Sequence, residues 1–135
     1  MSKQPPPTPT PAIPTIDVRE ADRRRREGAG ASGGAAVPLI VDVREPNEFA
    51  AVRLEGVALV PMSTFATRFE ELPRDRPLLV MCAAGSRSAA ATAHLLRNGW
   101  TDVTNVAGGI TEWERSGLPV VRGPVAPGEG DMPGH

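Results

Sequence analysis

The sequence predicts an α/β protein built on a mostly parallel sheet covered by helices. Three observations carry this expectation. Short apolar runs rich in β-branched residues alternate with segments of helical spacing. The chain of 135 residues, 40% of them hydrophobic, suits one domain with a modest core. Asp42 and Cys82 fall at the carboxyl ends of two apolar runs, where folds of this class place their sites.

Residues 1–12 read as a disordered proline-rich leader, with a docking segment for a proline-binding module as the alternative. A folded domain is expected over 13–122, and 123–135, rich in glycine and proline, is expected to be a flexible C-terminal tail. The segment 15–30 reads as a short strand running into a polar helix, capped by Asp17 or a neighbour and ended by Gly28. Its run from Arg23 to Arg26 lies among Glu20, Asp22 and Glu27, the pattern of a solvated face with local charge pairs. After a small-residue connector (28–36), "PLIVDV" (38–43) is a buried strand and "EPNEFAAV" (45–52) a short helix with Pro46 near its start. "VALVP" (57–61) is a second short strand. In "STFATRFEELP" (63–73), Phe65, Phe69 and Leu72 recur at helical spacing behind Ser63 or Thr64 as cap. "PLLVMC" (77–82) is another buried strand, and 86–99 is the clearest helix, with Ala89, Ala93 and Leu96 on one face and Gly99 past its end. "TDVTNVAGG" (101–109) gives a short strand and a tight turn, and "GITEWERSG" (109–117) a last helix stopped by Gly117, which completes the alternation.

Composition excludes several classes. The net charge is −1, and the arginine run carries no interleaved aromatics, so no nucleic-acid or membrane-surface partner is indicated. One cysteine excludes an intrachain disulfide and a cysteine-based zinc site, so no metal is expected. No stretch approaches the about 18 apolar residues of a membrane span, and none resembles a signal peptide, so a cytoplasmic location is expected, where Cys82 stays a thiol.

Cys82 leaves a buried strand and precedes a helix. Between them lie Ala83, Ala84, Gly85 and Ser86, then Arg87 and Ser88. Small side chains let the backbone fold into a cup whose N–H groups turn inward. The positive end of the helix and the Arg87 charge should hold the thiol well below its ordinary pKa, as in activated cysteines. The competing reading is an inert buried thiol, common for free cysteine. A cysteine phosphatase or arsenate reductase would use a longer loop and, for the former, a general acid that this loop lacks. The four-residue gap gives a tighter cup, better matched to one sulfur than to a phosphate.

At these residues the sequence resembles a known family. "VMCAAGSRS" is similar to the active-site loop of single-domain rhodaneses, in the rhodanese-like sulfurtransferase superfamily, and "LIVDVREPNEF" (39–49), "GVALVP" (56–61) and "VAGGITEW" (106–113) resemble the family's other motifs in order. The resemblance implies a rhodanese-like fold, with a central mostly parallel five-stranded sheet and helices on both faces. It implies that Cys82 is a nucleophile that becomes a persulfide. Backbone amides of Ala83, Ala84, Gly85, Ser86, Arg87 and Ser88 would cradle the outer sulfur, and Arg87 would hold an anionic donor or stabilise the thiolate. Asp42 and Arg44 would brace the site, with Arg44 paired to a carboxylate such as Glu48, and Gly108, Gly109 and Trp113 would form a turn and its packing. The reaction implied moves a sulfane sulfur from a small donor such as thiosulfate to cyanide or a thiol, or to a protein acceptor, without a cofactor.

The chain departs from the family in two places. Val52, Arg53 and Leu54 replace the usual glycine, histidine and isoleucine, and Arg53 is expected to be a solvated surface residue. Ala83 and Ala84 are neutral where thiosulfate enzymes often carry charge, which points to weak attraction for a dianion. A non-turnover sulfur-carrier or protein-binding module is therefore the alternative function. His94 sits inside the long helix, away from the loop, and is not expected to act as a base.

Overall fold

The computed structural model describes residues 13–29 and 37–132; the proline-rich leader, most of the small-residue connector and the last three residues lie outside them. In chain order the elements are β1 (Thr15–Ile16), α1 (Val18–Ala29), β2 (Leu39–Asp42), α2 (Pro46–Ala51), β3 (Ala58–Leu59), α3 (Met62–Arg68) with a 3-10 turn (Phe69–Glu71), β4 (Leu78–Met81), α4 (Ser86–Arg97), β5 (Val103–Val106) and α5 (Gly109–Arg115). The strands form one sheet in the order β1-β5-β4-β2-β3, and every neighbouring pair is parallel. Among the described residues, no helix is long and apolar enough to cross a membrane.

Both faces of the sheet are covered, which is why its strands read as continuous apolar runs. Side chains alternate along each strand. Leu39, Val41, Leu78 and Val80 face Phe65, Ala91, Leu95 and Trp100. Ile40, Leu79 and Met81 face Val18, Phe49, Ile110 and Trp113 on the other side. The register sets Asp42 beside Met81, so Asp42 and the following Cys82 emerge together at the carboxyl end of adjacent central strands.

Local chemistry explains most element starts. Asp17 Oδ1 accepts the Glu20 N–H at 2.8 Å, capping α1 as expected, and Arg23 pairs with Glu20 and Glu27 along its solvated face. Gly28 does not end α1. It lies within the helix, where a Cβ would come within 2.6 Å of the Pro38 ring. Ser63 and Thr64 do not cap α3 either. Pro61 holds the cap position with no side-chain bond, and the Glu45 carboxylate accepts the Ser63 N–H (3.1 Å) and hydroxyl (2.6 Å) from outside the helix. On α4 the fully buried side chains are Ser88, Ala91, Thr92 and Leu95, not Ala89, Ala93 and Leu96. That stripe is set by Ser88, which the cysteine loop draws inward, while the alanines offer little apolar area to decide the rotation.

The segment after Arg122, expected to be flexible, is held at Gly123 and Pro124, at Glu129 and Gly130 and at Met132, while residues 123–128 are exposed. Arg53, expected in solvent, is 1% exposed and holds it. Its guanidinium donates to Glu129 at 2.5 and 2.9 Å and to the carbonyls of Gly123 and Pro124, while its backbone exchanges both hydrogen bonds with Val121. The edge strand β3 has an unpaired N–H at Leu59, and Gly130 supplies the carbonyl at 2.8 Å. Met132 closes into the core beside β3. The fork geometry of arginine, which gathers a carboxylate and several carbonyls at once, makes Arg53 an anchor. Glu129→Ala should lower the thermal unfolding midpoint by several degrees and open the peptide bonds after Arg122 to limited proteolysis; an uncleaved segment and an unchanged midpoint would contradict the anchor.

Candidate active site

The site is built where β4 gives way to α4. Cys82 follows the last residue of β4 and is 1% exposed, at the floor of the loop that ends at Ser86. The orientation of that loop is imposed by α5. The Cys82 carbonyl accepts the Ile110 N–H at 3.0 Å and the Ala83 carbonyl accepts the Thr111 N–H at 3.1 Å. In a trans peptide the N–H points opposite to the carbonyl, so tying these carbonyls to α5 turns the Ala83 and Ala84 amides the other way. Gly85, at φ +108°, caps α4 and donates its N–H to Cys82 Sγ at 3.0 Å. The thiol in turn donates to Ser88 Oγ at 3.4 Å, and the Ser88 hydroxyl donates to the Gly85 carbonyl at 3.1 Å. A hydroxyl rotates freely, so in the thiolate form Ser88 can turn its hydrogen to the sulfur.

These contacts act on the thiol in opposite directions. Burial pushes the Cys82 pKa up. The Ser88 hydroxyl, followed by the N–H groups of Ser88, Gly85 and Ala84, outweighs burial and leaves the thiol below its ordinary value. Donors that stabilise the thiolate favour the nucleophilic form. Ser88→Ala should therefore raise the pH midpoint of Cys82 alkylation, and the loop's backbone amides should keep it below that of an unfolded thiol. A midpoint unmoved by the substitution would remove Ser88 from this role.

The arginines pair differently from expectation. Arg44 does not meet the Glu48 carboxylate. Its guanidinium closes on Asp42, with contacts of 3.1 and 2.8 Å, and also donates to the Glu48 and Val52 carbonyls. The buried Asp42–Arg44 pair thus ties β2 to the end of α2. Glu48 instead forms a bidentate ion pair with Arg87, at 2.6 and 2.8 Å. The Arg87 guanidinium, first of all, holds the Glu48 carboxyl down at about 2, and Glu48 raises Arg87 in return. The Cys82 charge also acts on Arg87, but the arginine's fork is already filled by a carboxylate. Register decides this exchange: Asp42 lies within reach of Arg44 on the same strand end, which leaves Glu48, facing out from α2, to the arginine of α4.

Cys82, Gly85 and Ser88 therefore share direct contacts; Arg87 and Glu48 form one pair beside them, and Asp42 and Arg44 form a separate brace. His94 lies on α4 away from the loop, half-buried and edge-on to Phe65 and Phe69. Three residues around the site carry roles that the sequence did not announce. Ile110 and Thr111 orient the loop through their amides, and no side-chain signal marks a backbone donor. Glu45 accepts from Ser63 and, through its own N–H, completes a capping box with Glu48 at 3.0 Å; the spacing of two glutamates three apart carried that signal. Among the described residues, no cluster of three or more histidine, cysteine or carboxylate side chains offers a metal site.

Comparison with known proteins places this geometry in context. The family model for the rhodanese-like domain matches residues 27–116. A sulfurtransferase of Allochromatium vinosum is 40% identical over 83 residues, covering 62% of this chain and 78% of that protein. A rhodanese-related protein from Thermoplasma volcanium superposes with a TM-score of 0.69 at 30% identity, over 80% of this chain and 97% of that one. A rhodanese-like domain protein from Staphylococcus aureus gives a TM-score of 0.64 at 29% identity, over 75% and 91%.

Proposed function

Because the chain belongs to the rhodanese-like domain family, we propose that it is a sulfurtransferase that carries a sulfane sulfur as a persulfide on Cys82. The observation that carries this reading is the 3.0 Å contact from the Gly85 N–H to Cys82 Sγ, inside a loop whose Ala83 and Ala84 amides are turned away from α5. With thiosulfate as donor, the Cys82 thiolate attacks the sulfane sulfur. A new S–S bond forms, the donor's S–S bond breaks, and its electron pair leaves on sulfite. A thiol or cyanide then attacks the outer sulfur, and Cys82 departs as the thiolate that the loop already stabilises. The same donors thus serve the attacking and the leaving state, and no base is required once the thiol is ionised. The extra sulfur would lie among the amides from Ala83 to Ser88. Cys82 is the only cysteine of the chain, so the acceptor comes from another molecule, a small thiol, cyanide or a protein. A reducing cytoplasm is the compartment in which a lone thiol of this kind stays available.

The neutral Ala83 and Ala84 and the closed Arg87–Glu48 pair favour a second reading, a sulfur carrier that loads but turns over only with a specific protein acceptor. One experiment separates the two: thiosulfate, mercaptopyruvate and persulfides are offered in turn, sulfur on Cys82 is read by intact mass, and release to small acceptors is followed. Loading with release to cyanide or a small thiol supports the enzyme; loading without release supports the carrier; no loading from any donor refutes both.

A further inference from the structure

The charges beside the cup are closed against each other. Arg87 is the guanidinium on which the Cys82 charge acts, and both of its Nη atoms are held by the two Glu48 oxygens at 2.6 and 2.8 Å. A second carboxylate, Glu45, also acts on Arg87. The nearby Arg44 is buried and committed to Asp42. The loop itself contributes Ala83, Ala84, Gly85 and Ser86, none of them charged. Glu48, Glu45 and Arg87 together sum to one net negative charge beside a sulfur that must itself be an anion to react.

We propose that Glu48 selects the sulfur donor: by closing Arg87 into an ion pair it leaves the cup without a free cation among the described residues, and so favours an organic persulfide, R–S–SH, over the thiosulfate dianion. The inference rests on the sulfurtransferase reading above and assigns its substrate class. Attack on thiosulfate brings a thiolate against a dianion, a repulsion that a free cation beside the cup would help to offset. With R–S–SH the thiolate attacks the outer sulfur, the new bond makes Cys82–S–SH, the old S–S bond breaks, and its electron pair leaves as R–S⁻. The proton stays on the transferred sulfur, and no dianion is brought in. Glu48 is a positioning residue in this account, acting through Arg87, whose side chain is 35% exposed and able to meet a ligand if released.

The test compares the natural protein with Glu48→Gln, using thiosulfate and cysteine persulfide as donors over a range of ionic strength. Glutamine keeps one oxygen, the acceptor shared by the Glu45 N–H and Arg87 Nη1, and loses both the charge and the acceptor that holds Arg87 Nη2. The thiosulfate-to-persulfide ratio of kcat/KM should rise on the order of tenfold in the variant, mainly through KM for thiosulfate. In the natural protein kcat/KM for thiosulfate should not fall as salt is added, because screening relieves repulsion; in Glu48→Gln it should fall, because an attraction is being screened. A folded variant whose ratio stays within about twofold overturns the proposal, and so does a steep loss of thiosulfate activity with salt in the natural protein. That second measurement decides the matter even if the variant does not fold. Intact mass keeps the two levels apart. If neither donor adds sulfur to Cys82, the sulfurtransferase reading fails and this inference with it; if both load and the ratio does not move, only the role of Glu48 is refuted.

Discussion

Cys82→Ser is expected to abolish sulfur transfer, lowering kcat/KM by at least about 10⁴-fold, as removal of a covalent nucleophile does. A serine hydroxyl at the floor of the loop would stay protonated at neutral pH, and oxygen forms no persulfide. The residual rate should be independent of donor, and intact mass should show no added sulfur after any of them. The fold should be preserved. Serine is smaller than cysteine and retains a hydrogen-bonding atom facing Gly85 and Ser88, so the unfolding midpoint should move by only a few degrees. Ordinary turnover of thiosulfate and cyanide by folded Cys82→Ser would refute the persulfide mechanism outright, since the chain holds no other thiol.

The second large effect is expected at a residue that touches no substrate. Gly109 lies at φ +55°, and a Cβ built on it would stand 2.2 Å from the Cys82 carbonyl oxygen and 2.7 Å from that of Ala83. Those two carbonyls accept the Ile110 and Thr111 amides, the bonds that orient the cup. Both neighbours are backbone, so neither can swing aside as a side chain would. Gly109→Ala combines left-handed backbone strain with overpacking, and should cost about 2–5 kcal/mol of stability. For a domain of this size that is roughly a 10–20 °C fall in the unfolding midpoint. It should also slow alkylation of Cys82 at neutral pH, because the loop must move away from α5 and lose the amide directions that favour the thiolate. Gly117→Ala is the control. Gly117 has φ +75° but nothing within 4 Å of its would-be Cβ, so it should show the backbone strain alone, about 1–2 kcal/mol, with no change in thiol reactivity. If the two variants behave alike, the packing of Gly109 against the loop is not what holds the cup.

Ser88 ties the two results together. The sequence places it in a loop, yet it is buried on the same face of α4 as Ala91, Thr92 and Leu95, while Leu96 packs at the margin of that core. A helix rich in alanine has little preference for which small face it buries, so a single polar contact at its first turn can decide. Conversely, the position of the cup was legible because its causes are local. An apolar strand, four small residues and a helix start occur in sequence, and their order alone brings a thiol to a helix N-terminus at the end of a parallel strand.

Charge pairing was the least legible feature. Four groups, Asp42, Arg44, Glu48 and Arg87, admit more than one matching, and the sequence offers no distance with which to choose. The same holds at the C-terminus: Arg53 and Glu129 are 76 positions apart, and nothing between them announces that one will fasten the other. The proline and glycine that made the tail read as flexible are compatible with an extended segment that lies along an edge strand, once an anchor exists.

The residues in their order were enough to establish the alternation of strands and helices, the parallel sheet, and a cysteine set between a strand end and a helix start, because each follows from periodicity and from neighbours a few positions away. The folded chain alone settled which carboxylate answers which arginine, which face of α4 is buried, how α5 holds the carbonyls of the cysteine loop, and where the C-terminal segment lies. Those outcomes depend on distances between groups far apart in the chain, and such distances come into being only when the elements pack.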